Sequence, residues 1–177
     1  MRKPGAPRFV CEIEVQATPH DRRVLRSRME AARQLYNAVL GDLLRRLDAA
    51  RCDPGWAEAR EMPRRTKFER TARSAAFLAV RCRYGLSEFS AHKHPSLGRE
   101  CWIREHLDAN TAQKAATEAW RVAQAHMFAR HRRPGFRRRG ELRSVEGKKH
   151  DVGIRLIGWE AEAPAVAWDG LHGKLRL

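Results

Sequence analysis

Nine cations crowd the stretch from 130 to 149: Arg130, Arg132, Arg133, Arg137, Arg138, Arg139, Arg143, Lys148 and Lys149, with only Glu141 and Glu146 against them. Pro134-Gly135-Phe136 sits among them. This is chemistry for a phosphate backbone. Each guanidinium offers a planar fork of donors to phosphate oxygens, and Phe136 offers a ring face to a base. The plainer reading of the same residues is a solvated basic loop. Composition favours the first: 36 Lys and Arg against 21 Asp and Glu leave a net charge of +15 over 177 residues, the electrostatic footprint of a nucleic-acid binder.

Other chemistries find less support. His92, His94, Cys101 and His106 fix no four-ligand set, and are read as exposed histidines with a small cysteine. Cys11, Cys52, Cys82 and Cys101 form no CxxC pair and are read as small, partly buried residues. Glu58 and Glu61 read as solvation of a charged helix face. No Gly-rich phosphate loop or Ser-His-Asp arrangement occurs. No metal site and no cofactor are expected in this chain.

The elements that must hold the basic stretch follow from periodicity. Residues 9–17 alternate apolar and polar, as a half-buried strand does. Thr18-Pro19-His20-Asp21 reads as a helix start, with Thr18 as N-cap and Pro19 at the first position. The helix runs to Arg51 on a stripe of Leu25, Met29, Ala32, Tyr36, Val39, Leu43 and Leu47. Gly41 interrupts it at about 1 kcal/mol relative to alanine, and Asp53-Pro54-Gly55 ends it. Residues 56–107 read as mostly helical, with a polar stretch at 56–70 that holds a loop around Pro63. Shorter helical pieces follow at 71–83, 88–94 and 101–107, with Ser87 capping the second. A longer helix spans 108–130. The period then switches to two around Ile154 and Leu156, at 165–168 and at 174–177.

Several pieces, in this order, resemble the N-terminal half of the TnpB (OrfB) transposon-encoded nucleases, relatives of the compact type V CRISPR effectors. Val15 to Pro19 resembles the family's opening strand and proline. Arg33, Tyr36, Asn37 and Leu40 resemble its Arg-x-x-Tyr-Asn helix motif. Trp102, Asn110, Gln113 and Ala119 are similar to a later helix motif. Pro134-Gly135-Phe136-Arg137-Arg138-Arg139 resembles its basic signature, with Pro-Gly-Phe in place of Gly-Phe-Pro, and 166–175 loosely resembles a closing hairpin.

The resemblance implies an α+β fold: a helical recognition block inserted into a small wedge-type β-barrel left incomplete. Residues 1–17 would be an arm and first strand, 18–130 the helical block, and 131–177 the basic loop and returning strands. It implies structured guide-type RNA and target DNA as partners, and no membrane. In such systems base pairing reads the sequence while the protein reads backbone shape and a short flanking motif. Tyr84, Asn110, Thr111 and Gln113 match the positions that meet that motif. Beside this stands a structural reading: a packed turn tyrosine at 84 and helix capping at 110 and 111. The family's RuvC nuclease and zinc ribbon lie beyond the matched region, and Asp151, Glu160 and Asp169 lack the spacing of a metal-binding acid set. The chain is therefore read as a fragment, a truncated product or one part of a split protein, the last with a RuvC-containing half in trans. The expected location is the cytoplasm. No cleavage is expected from this polypeptide alone, and the loop arginines are expected to outweigh Arg22, Arg23 and Arg26 in binding.

Binding of duplex or structured RNA is expected to weaken steeply with salt, because each neutralised phosphate releases counterions. A filter-binding titration across salt checks this. A flat response would exclude phosphate contacts as the source of affinity.

Overall fold

The computed structural model describes residues 12, 14–94, 102–128, 132–147, 153–158, 164–168 and 175–176. Six helices come first: α1 (Pro19–Arg51), α2 (Pro54–Glu61), α3 (Lys67–Arg83), α4 (Glu88–His92), α5 (Ile103–His106) and α6 (Ala109–Phe128). Three short strands follow: β1 (Ile154–Ile157), β2 (Ala165–Trp168) and β3 (Leu175–Arg176), in one antiparallel sheet of order β1-β2-β3. Ile154 pairs with Trp168, and Ala165 with Arg176. The fold is α+β and mainly helical. Among the described residues the strands form an open sheet and close no barrel.

Helix α1 is about 50 Å long at 1.5 Å per residue. Its start follows the predicted chemistry. The Thr18 side chain accepts from the Asp21 amide at 3.2 Å, and Asp21 accepts from the Thr18 amide at 2.9 Å. The Thr18 hydroxyl also donates to the Asp21 carboxylate at 2.7 Å, and this bond, with that from the Thr18 amide, holds the carboxyl below its ordinary range. The buried stripe contains Ala32, Leu35, Tyr36, Val39, Leu43 and Leu47. It lies on α6, which turns Ala112, Ala116, Ala119 and Ala123 inward beside Trp120. Small residues on one helix make room for leucines on the other, so the two approach closely.

Between α1 and α3 the loop around Pro63 stands at residues 62–66, and the structure adds a helix start before it. Asp53-Pro54-Gly55 ends α1 and also begins α2. Asp53 is the N-cap and Pro54 the first helical residue, with the Gly55 amide donating to Asp53 at 2.8 Å. Residues 56–70 are therefore largely helical, and α3 begins at Lys67 under a Thr66–Glu69 capping box. Of the predicted strand at 9–17, residues 12 and 14–17 are described and form no strand, with only Gln16 in a bridge position; 9–11 and 13 lie outside the described residues. Cys52 and Cys82 are exposed rather than partly buried; Cys11 and Cys101 lie outside the described residues.

One carboxylate ties the sheet to the helices. Asp108 caps α6, accepting from the Asn110 and Thr111 amides at 2.9 and 3.0 Å and from the Thr111 hydroxyl at 2.5 Å. It also accepts from the Trp168 indole N–H of β2 at 3.0 Å. Burial alone would raise its pKa. The bonds from Thr111, Trp168 and Asn110 outweigh burial and hold it low. The guanidinium of Arg28, only 2% exposed, lies 4.7 Å from the centroid of the Trp168 ring. Gly153, at φ +80°, approaches so closely that an added Cβ would stand 3.3 Å from Asp108.

Asp108→Ala should cost roughly 2–4 kcal/mol, one part from the lost cap and one from the stranded indole and hydroxyl donors. Asp108→Asn keeps an oxygen for the cap and should cost less. Urea denaturation midpoints of the two variants check this. A D108A midpoint equal to the parent's would mean the sheet is held by other contacts.

Candidate nucleic-acid interface

The basic stretch crosses α1 in an extended course, and its centre is clasped by backbone. The Arg137 amide donates to the Asn37 side-chain oxygen at 2.9 Å, and the Asn37 side-chain NH₂ donates back to the Arg137 carbonyl at 2.9 Å. Arg33 donates to the same carbonyl at 2.8 Å. Asparagine suits this place because its side chain carries the donor and acceptor of a peptide unit. Arg33 is aimed by Glu30, which accepts from it at 2.6 and 2.9 Å. These bonds, with help from Gln34 and the nearby Arg139 charge, outweigh burial and bring the Glu30 carboxyl to about 2 from an ordinary 4.5.

The Arg137 side chain is also spent inside. It pairs with Glu118 of α6 and lies 4.2 Å from the centroid of the Tyr36 ring. Tyr36 is 3% exposed, and burial pushes its phenol above the usual range. Arg137 thus fastens the stretch to α1 and α6 rather than standing free for phosphate. Phe136 rests on the helix at Gly41, where an added Cβ would meet its ring at 3.4 Å, yet more than half of the side chain stays exposed. Downstream, Leu142 is buried in the common core.

The remaining predicted cations divide. Arg133 pairs with Asp48 at 2.7 Å across the surface of α1. Arg132, Arg138, Arg139 and Arg143 are exposed. Arg130, Lys148 and Lys149 lie outside the described residues. Arg139 and Arg143 line a groove of about 660 Å³ together with Arg26, Trp102, Leu25 and Met29. Trp102 is 41% exposed there. A floor of apolar side chains with a tryptophan, rimmed by arginines, is suited to a base with its phosphates outside. Glu30 also lines this groove, and Arg33 neutralises it.

Sequence reasoning placed Arg26 on an ordinary solvated helix face beside Arg22 and Arg23. The structure puts Arg26 in the groove with the loop arginines, so the three are not equivalent. Arg26 shares the inward-tilting edge of the Leu25–Met29 stripe, a signal present in the helical spacing. The exposure of Trp102 has no such signal, since a tryptophan in an amphipathic piece reads as an anchor.

Of the four flanking-motif positions, Tyr84 and Thr111 have their hydroxyls engaged inside the fold. The Tyr84 hydroxyl donates to Asp53 at 3.1 Å, beside an Arg83–Asp53 ion pair at 2.6 Å. Thr111 is 1% exposed and its hydroxyl is given to Asp108, so that side chain faces no DNA. Asn110 and Gln113 are partly exposed near the same end of α6. The structural reading of a packed turn tyrosine and a capped helix start describes Tyr84 and Thr111. Among the histidines, His92 bonds Thr117 at 2.8 Å, and His94 stands 3.8 Å from Asp42 with burial holding its pKa low. Both are partly buried rather than solvated, and the described residues hold no cluster of metal-ligating groups.

Comparison with known proteins gives no match: no protein-family model, no curated protein and no solved structure is similar to the chain.

Asn37→Ala should release residues 136–138 and cost about 1–3 kcal/mol for its two lost hydrogen bonds. Hydrogen exchange at the Arg137 amide checks it, and unchanged protection would show that Asn37 is not what shields that amide. The Glu30 contribution has a definite sign. Its folded pKa is depressed, so its stabilisation is complete above about pH 4.5 and fades as pH falls toward about 2.

Proposed function

We propose that this chain is a nucleic-acid-binding module that grips structured RNA through the Trp102–Arg139–Arg143 groove and the exposed arginines beside it. Within that reading it is the guide-RNA and target-DNA holding half of a TnpB-like RNA-guided endonuclease. The observation that carries it is the clasp. Asn37 and Arg33 of one motif hold Arg137 of another, 100 and 104 residues away. These are two of the pieces on which the resemblance rests, and their contact gives a physical reason for both to be present. The clasp fixes the backbone at Arg137, just before the exposed Arg138, Arg139 and Arg143.

A second reading is a basic RNA- or DNA-binding protein without guide-dependent function. The engagement of Tyr84 and Thr111 in internal hydrogen bonds favours it, because it removes two of the four residues proposed to read a flanking motif. Arginines on phosphates position a nucleic acid but do not read its sequence. A partner half carrying RuvC-type acids would separate the two readings, since only the first requires one.

The test compares Arg138→Ala/Arg139→Ala/Arg143→Ala with Arg22→Ala/Arg23→Ala, leaving Arg137 intact to preserve the clasp. With a hairpin RNA, the first variant should lose affinity and flatten the log–log salt slope by about 0.9 per lost phosphate contact. The second should change little. Equal losses would mean a diffuse positive field in place of a site.

A further inference from the structure

A second cationic groove lies at the other end of the helical block. It has a volume of about 610 Å³ and is formed by α2, α3 and the last residue of α6. Its rim holds Arg60, Arg64, Arg70, Arg73 and Arg81, and no acid lines it. None of these five arginines pairs with a carboxylate among the described residues. Arg73 and Arg81 lie over the rings of Phe77 and Trp120 and donate to the carbonyls of Met62 and Leu86. They are held in place but keep their charge uncompensated. Arg60, Arg64 and Arg70 are exposed.

The floor of this groove is aromatic. Trp56 and Phe128 stack at 5.9 Å with planes 7° apart, and Phe77 meets both edge-on at 5.0 and 5.4 Å. Trp56 and Phe77 are buried, whereas Phe128 is 56% exposed. Phe68, Phe89 and Phe136 are exposed as well; Phe128 differs from Phe68 and Phe89 in being stacked on a buried tryptophan inside an arginine-rimmed groove. Here it has an apolar support behind it and cations around it. That combination fits a base laid on the ring with its phosphates toward the rim.

We propose that the α2–α3 groove is a separate binding site for a single-stranded segment of RNA, with a base on Phe128 and the backbone along Arg60, Arg64 and Arg70. Charge complementarity selects the occupant: a polyanion, and one with flat bases to use the aromatic floor. This goes beyond the proposed role of the basic stretch and stands on different residues. The two sites lie toward opposite ends of α1. Arg51 donates to the carbonyls of His126 and Met127 next to Phe128. Met29 lines the first groove. The helix between Met29 and Arg51 spans about 30 Å. One RNA of sufficient length can therefore occupy both grooves, and the second contact is then intramolecular.

The test uses the full chain and a fluorescein-labelled oligouridylate, read by anisotropy across salt. Arg60→Ala/Arg64→Ala/Arg70→Ala should flatten the salt slope by about 0.7 per lost contact, roughly two units in all. Phe128→Leu, which keeps an apolar group on Trp56 but removes the flat ring, should weaken binding about 10-fold. Both variants are checked for an unchanged melting temperature, and photo-crosslinking with 4-thiouridine supplies a readout that needs no variant. Cross-links at Trp56, Phe77 or Phe128 support the site. Cross-links confined to 132–147, or an unchanged slope in the folded triple variant, overturn it. A polyglutamate peptide that competes as well as oligouridylate would also overturn it, in favour of an acidic protein partner. Repeating the titration with Arg138, Arg139 and Arg143 replaced isolates the second groove, so loss of one site leaves the other readable.

Discussion

The burial of one face of α1 is the constraint on which the rest of this protein depends. α6 lies on that face through alanines, α2 meets it and carries α3, α5 touches it, and the basic stretch is clasped across its middle. Each fully buried leucine there contributes about 1.5–3 kcal/mol relative to exposure. Such a beam lets a chain with fifteen excess positive charges stay compact, because the apolar stripe holds together what the arginines would drive apart.

The arginines then fall into two groups with different physical roles. Arg28, Arg33, Arg46, Arg51 and Arg137 are structural. They cap carbonyls, pair with carboxylates or lie on rings, and each joins α1 to another segment or braces it internally. An arginine can do this because its stem is apolar and its head carries five donors. Arg26, Arg139 and Arg143, with the five of the α2–α3 groove, border aromatic floors. Charge count alone does not separate the groups. Their neighbours do: the first are held by an acid, a carbonyl or a buried ring that joins α1 to another segment, and the second line grooves without pairing with a carboxylate among the described residues.

Two fasteners give the molecule its long-range order. At one, Asn37 imitates a peptide unit and holds Arg137 by both its N–H and its C=O. At the other, a single Asp108 carboxylate serves the start of α6 and the indole of β2. Both satisfy backbone or indole groups that burial would otherwise leave unpaired. Gly41 belongs to the first. The cost of a glycine inside a helix is visible in the sequence, but the Phe136 ring lying on it is not.

Local rules were enough for the helices. The Thr18 cap, the α1 stripe and the Ser87 cap are written in neighbouring residues, and the structure has them where periodicity and capping chemistry place them. The start of α2 was missed because Asp53-Pro54-Gly55 carries a stop and a start signal at once, and local sequence does not rank them. The positive charge, the lack of an apolar helix long enough to cross a membrane and the prominence of the basic stretch were also legible. The roles of individual cations were not. Arg137 and Arg138 are adjacent and chemically identical, yet one is clasped inside and the other is exposed. Arg70, Arg73, Phe77 and Arg81 share a helical face by spacing, but only the approach of Trp56 and Phe128 makes that face a groove. Sequence fixes which residues can carry charge and stack. Which of them meet a carboxylate and which meet water depends on contacts between residues distant in the chain, and these exist only once the helices have packed.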